Sequence, residues 1–174
     1  MKYIFDSGPL IDLFRHYYPK RFPSLWVRFH ALVSEGKIIS VKEVYNEIGA
    51  KEVYNEIEAE EDYNEIEAKE DALSRWAKEQ KDKLFSPSTV NELQFVNKIF
   101  QVRHFQAMIH KQERLQGKPV ADPFVIARAK IQECQVVTTE SFKDNAAKIP
   151  NVCKHFDIPC ISLEDFMQQE SWVF

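Results

Sequence analysis

The chain of 174 residues fits a single domain, and 44% hydrophobic with 13% aromatic residues is enough to build a substantial core, which excludes wholesale disorder. Its four glycines, Gly8, Gly36, Gly49 and Gly117, form neither the G-x-G-x-x-G nor the G-x-x-x-x-G-K-[ST] fingerprint, so dinucleotide and P-loop readings lose their basis. Net charge is −4, but residues 51–68 alone contribute −7 and leave the remainder mildly basic at +3.

In chain order, Lys2 to Ser7 reads as a short buried strand ending in an acid. Pro9 sits in the first turn of a helix whose apolar side is Leu10, Ile11, Leu13 and Phe14. A second helix is predicted over Ser24 to Ser34, stopped by Gly36, and a second strand over Lys37 to Val41. A long helix then runs to about Lys83, and Ser86-Pro87-Ser88 opens another through Phe100. Residues 104–115 read as a basic helix, and Asp122 as the cap of a helix with Pro123 just inside it. Gln135 to Thr139 is a third strand, Cys160 to Leu163 a fourth, and a short helix closes the chain. Strands separated by helices imply a mainly parallel sheet covered on both faces, an α/β/α sandwich over residues 1–174.

The long helix carries a nine-residue repeat: KEVYNEIGA (42–50), KEVYNEIEA (51–59), EEDYNEIEA (60–68), then KEDALSRWA (69–77). Nine residues are too few for a solenoid unit, and 51–68 reads as a tandem insertion. Two copies make five helical turns, about 27 Å of rod, so they restore the helix face while displacing the downstream chain along the axis. Val44 and Ile48 suit packing on the sheet, whereas Val53 and Ile57 fall half a turn round; an exposed Val53-Tyr54-Ile57 edge would favour self-association.

In a parallel sheet, groups at the carboxyl ends of the strands converge on one crevice. Asp6 and Glu140 fall at those ends, Glu47 lies early in the helix after the second strand, and Asp122 opens the helix before the third. Four clustered carboxylates require either protonation or a hard cation, and oxygen ligands of this kind suit Mg²⁺ or Mn²⁺. Such a site can position water and stabilise the departing oxygen of a phosphodiester.

The segments YIFDSGPLIDLF, ADPFVIARAK and VVTTESF resemble the signatures of PIN-domain ribonucleases. FPSLW, KIISVKEVYNEI and KIPNVCKHFDIPCISLEDF further resemble a PIN-like family catalogued only as a domain of unknown function, related to VapC-type toxins. The resemblance implies metal-dependent RNA cleavage and the toxin role in a toxin–antitoxin pair, with an antitoxin encoded by a neighbouring gene. Matched residue by residue, Asp6, Glu47, Asp122 and Glu140 are the catalytic and metal-binding acids, with Ser7 beside the first. Glu140 stands where the family usually has Asp, and the repeat offers Glu56 and Glu65 as rivals to Glu47.

Ser7 and Thr138 can support a ligating carboxylate or equally satisfy backbone groups. Asp12 reads as surface, and Asp144 as a substitute for Glu140 if its loop folds back. His104, His110, Lys111, Arg114 and Lys118 form a basic stretch that fits RNA phosphates or a solvated helix face. Arg15, His16, Lys20 and Arg21, interleaved with Tyr17 and Tyr18, are a second basic surface, while Phe22, Trp26 and Phe29 read as core. Cys134, Cys153 and Cys160 lack a C-x-x-C pair, so they suggest neither a disulfide framework nor zinc. An acid as early as position 6 and no apolar run near the ~20 residues of a membrane span give the expectation of a cytoplasmic protein. The rival class is a PIN-like interaction module that no longer cleaves.

Overall fold

The computed structural model describes residues 1–49, 65–108 and 120–173, with the helical backbone alone for 65–71. Five parallel strands form one sheet in the order β3-β2-β1-β4-β5. Its centre is β1 (Tyr3–Phe5), buried along its whole length, with Tyr3 in register with Ile38 on one side and Gln135 on the other. A strand covered on both faces has no solvent side to alternate toward, which is why Tyr3-Ile4-Phe5 is an unbroken apolar run. Asp6 ends it and enters α1 (Ser7–His16), shortening the expected strand at both ends. Pro9, third in that helix, has no N–H to leave unpaired.

Helix α2 (Pro23–Ser34) starts one residue before expectation, with Pro23 in its first turn, and Gly36 turns the chain in the left-handed region (φ +66°) into β2 (Ile38–Val41). Residues 42–49 form helix α3. The second repeat copy, with Val53, Tyr54, Glu56 and Ile57, lies outside the described residues, as do Tyr63 and the side chains of Glu65 and Ile66. Both flanks of the repeat are in the core: Val44 and Ile48 on one side, Leu73 and Trp76 on the other. The helix expected to reach Lys83 ends instead at Glu79 (α4, Glu65–Glu79), and a separate turn, α5 (Lys81–Leu84), comes after it.

A fifth strand, β3 (Phe85–Ser86), lies where the sequence suggested a helix start. Two residues are too few to show alternation, and the strand exists through pairing with Ser40 and Val41. The helix begins later, as α6 (Val90–Gln101), under a capping box: Glu92 N–H donates to Thr89 Oγ1 and Thr89 N–H to Glu92 Oε2. Where the basic helix was expected, Arg103–Gln106 is a 3₁₀ turn and 107–108 are helical, while residues 109–119 fall outside the description. Asp122 is the first residue of α7 (Asp122–Gln132) rather than its cap, which is Ala121. Then come β4 (Gln135–Val137), a helix the sequence did not announce, α8 (Ile149–His155), then β5 (Cys160–Ile161) and α9 (Leu163–Gln169).

Helices cover both faces, giving the expected three layers. On one, Tyr3 and Phe5 meet Phe166 of α9 edge-on at 4.8 and 5.0 Å, and Phe5 meets Phe29 of α2. There Phe14, Trp26 and Trp76 join α1, α2 and α4. On the other, α7 lies across β1, β2 and β4 and packs beside α6 and α8. Arg128 of α7 is 1% exposed and holds this layer to the sheet edge. It forks onto Glu92 at 3.1 and 3.0 Å and donates to the carbonyls of Ser40 and Pro87, each at 2.7 Å. A further bond, to Ser86 Oγ at 2.7 Å, explains how so short an edge strand is kept in place.

Candidate active site

Three of the four expected acids sit within one electrostatic neighbourhood at the carboxyl ends of the strands. Asp6 follows β1 and Asp122 opens α7; both are buried, at 6% and 5% exposure. Burial is the main reason the Asp6 carboxyl is pushed up to about 7, and the nearby Asp122 and Glu47 carboxylates push it the same way. The Ser7 backbone N–H and the Thr138 hydroxyl oppose that shift.

Glu47 and Asp6 are each placed by a contact that follows from the topology. Glu47 reaches from α3 to accept the Ala121 N–H at 2.8 Å, which ties it to the residue before Asp122. Thr138, just past β4, donates its hydroxyl to Asp6 Oδ2 at 3.1 Å and accepts the Glu140 N–H at 3.2 Å. Thr138 therefore bonds a carboxylate and a backbone group at once. Ser7 is half-buried as the first residue of α1.

Glu140 makes a contact outside this trio. Its carboxylate accepts the Ile149 N–H at 2.9 Å and so secures the start of α8. It nonetheless lies close enough, with Asp6, to act on the Cys160 thiol. The Cys153 thiol hydrogen-bonds Cys160 and draws the Cys160 pKa down, while Asp6 and Glu140 push it up. All three cysteines are free thiols.

Asp6 Oδ1 is buried without a hydrogen-bond partner. An orphaned carboxylate oxygen beside further carboxylates is what a hard cation would satisfy. Among the described residues, no three His, Cys, Asp or Glu side chains are spaced to enclose one ion. The donor set fits Mg²⁺ or Mn²⁺ held by carboxylates with water completing the shell.

Other candidates sort by position. Asp12 is half-buried on α1, and Asp144 is exposed in the loop before α8. His110, Lys111, Arg114 and Lys118 lie outside the described residues. Arg15 and His16 occupy the far end of α1, about 15 Å along the helix from Asp6. Trp26 and Phe29 are core as expected, and Phe22 packs half-buried against it.

Two residues that shape the site were not singled out from sequence for that role. Gly8 passes so close to Thr139 that an added Cβ would lie 2.2 Å from its Oγ1. Ser40 donates its hydroxyl to the Phe5 carbonyl at 2.7 Å, fixing the strand end that carries Asp6. A buried serine within Ile-Ile-Ser-Val was the available signal for the latter.

The family described as Domain of unknown function (DUF4411) matches residues 3–174. No curated protein matches the chain. Among solved structures, the chain is similar to VapBC2 from Rickettsia felis bound to a DNA fragment from its promoter. Identity there is 11%, coverage 93% of this chain and 98% of the other, and the TM-score 0.49. No helix among the described residues is long and apolar enough to cross a membrane.

Proposed function

The chain belongs to the family described as Domain of unknown function (DUF4411), and we propose that it is a divalent-metal-dependent endoribonuclease of PIN type. The observation that carries this reading is the buried, unpartnered Oδ1 of Asp6 in the field of Asp122 and Glu47. Mg²⁺ or Mn²⁺, when bound there, would supply Lewis-acid stabilisation of charge on a phosphodiester. Asp6 and Asp122 would hold the cation. Thr138 orients Asp6 through its hydroxyl, and Glu47 fixes the start of α7 through the Ala121 N–H. Glu140 closes one side of the site by pinning α8.

RNA as substrate and the role of toxin paired with an antitoxin rest on the resemblance of the sequence motifs. Lys111, Arg114 and Lys118 are proposed as phosphate contacts, and the cytoplasm as the place of action. Cleavage of cellular RNA with Mg²⁺ or Mn²⁺, beside an Asp6→Asn control, tests the reading. Metal-dependent cleavage lost in the variant supports it, and cleavage that survives Asp6→Asn overturns it.

A second reading, an interaction module that no longer cleaves, is favoured by the bond that commits one oxygen of Glu140 to the Ile149 N–H. The 51–68 insertion would then be the lesion. A version lacking those residues separates the readings: recovered cleavage identifies the insertion as the cause, whereas equal activity makes it a tolerated extension.

A further inference from the structure

We propose that the cavity between the 3₁₀ turn, the loop after Glu140 and α8 binds one nucleotide of a single-stranded RNA, its base stacked on Phe142 and its phosphate on Lys154. The inference rests on the nuclease reading for its ligand class and on separate residues for its evidence. The cavity measures about 310 Å³ and is lined by His104, Phe105, Phe142, Asn145, Lys154 and His155 among others, with no Asp or Glu among the described residues of its wall. That volume is within the range of small-ligand sites. A second hollow beside it is lined by Arg103, His104, Gln106 and Ala107, so the basic surface continues outward.

Phe142 is 49% exposed, so its ring is accessible to a stacking partner. The Lys154 ammonium lies over the ring, 4.7 Å from its centroid, and a base stacking on that face would displace it outward, where it can meet the nucleotide's phosphate. Base–aromatic stacking next to a cation is how sequence-tolerant single-strand binding is built, since every base has a π-face. On the opposite wall, Phe105 packs edge-on against His155 at 5.2 Å. The loop is held ready by Asn151, whose amide donates to the Lys143 carbonyl at 2.8 Å. It is also continuous with the acidic site: Phe142 is two residues past Glu140, and Glu140 is anchored on Ile149 of the helix that carries Lys154.

The test measures binding rather than cleavage, so failure of the nuclease reading does not decide it. In EDTA, fluorescence anisotropy would follow a short labelled oligoadenylate and an abasic strand of equal length. Phe142→Ala should weaken oligoadenylate binding by at least about fivefold and leave the abasic strand within about twofold. Lys154→Gln should weaken both and lower the salt slope by about one. If Phe142→Ala lowers the melting temperature, Phe142→Leu keeps the apolar bulk without the π-face and should show the same selective loss. Oligoadenylate bound equally by the original and the Phe142 variants, or not bound at all, overturns the proposal and leaves the cavity to a protein partner.

Discussion

Thr138 accepts the backbone N–H of Glu140 and donates its own hydroxyl to Asp6 Oδ2 at 3.1 Å. One side chain thereby links the end of β4 to the acid at the end of β1 and fixes which oxygen of Asp6 is engaged. The other, Oδ1, has no partner.

Asp6 should make the metal-free protein less stable as the pH rises. Its folded pKa, about 7, lies above the ordinary 3.8, so the folded state holds the proton more tightly than the unfolded chain. That stabilisation is complete below about pH 3.8 and is lost as the pH climbs through about 7, a span of roughly 4 kcal/mol at most. In EDTA, Asp6→Asn should therefore gain on the original protein between about pH 4 and pH 8. A melting-temperature difference that stays flat across this range would contradict the burial of a titrating Asp6.

Divalent metal should raise the melting temperature. Binding to the folded state alone contributes about 2.7 kcal/mol at a hundred times Kd, or roughly 5–10 °C for a chain of this size. Asp122→Asn should remove most of that gain, and differential scanning calorimetry with Mg²⁺ or Mn²⁺ reads it directly. No shift in the original protein would count against a cation at Asp6.

Arg128→Met should be among the most damaging single changes, costing about 3–5 kcal/mol by leaving Glu92 charged in the core. Burial alone would raise the Glu92 pKa, but its bonds with Arg128, Thr89 and Gln132 more than offset this and draw it down. Its contribution is present at neutral pH and falls away only in acid, as the pH drops through that lowered value. Adding Glu92→Leu to Arg128→Met should recover much of the loss in urea unfolding. A double variant as unstable as the single one would show that the lost carbonyl contacts to β2 and β3 dominate.

Gly8→Ala should disturb the site more than the fold, because the new Cβ would lie 2.2 Å from Thr139 Oγ1 while Thr139 itself is exposed and able to yield. The expected result is a stability loss of about 1 kcal/mol with a larger fall in metal affinity. Thr139→Ala removes the clashing hydroxyl and should restore most of both. Persistence of the defect in the double variant would place its cause in the backbone of α1.

Sequence alone determined the architecture, because it depends on local, repeated signals. Largely apolar runs such as Tyr3-Ile4-Phe5 and Gln135-Val136-Val137, each with polar residues after it, identify buried parallel strands and where they end. The Thr89-x-x-Glu92 box that caps α6 was not singled out, because Ser86-Pro87-Ser88 was read as the helix start. Tertiary structure decided what no local pattern encodes. Strand β3 is two residues long and owes its place to Ser40, Val41 and Arg128, all distant in the chain. Glu140, spaced like its partners, turns to the Ile149 N–H, since an α-helix start offers unpaired donors that a carboxylate can satisfy. The rise in the Asp6 pKa comes from burial and from Asp122 and Glu47, brought together only when the sheet and its helices assemble.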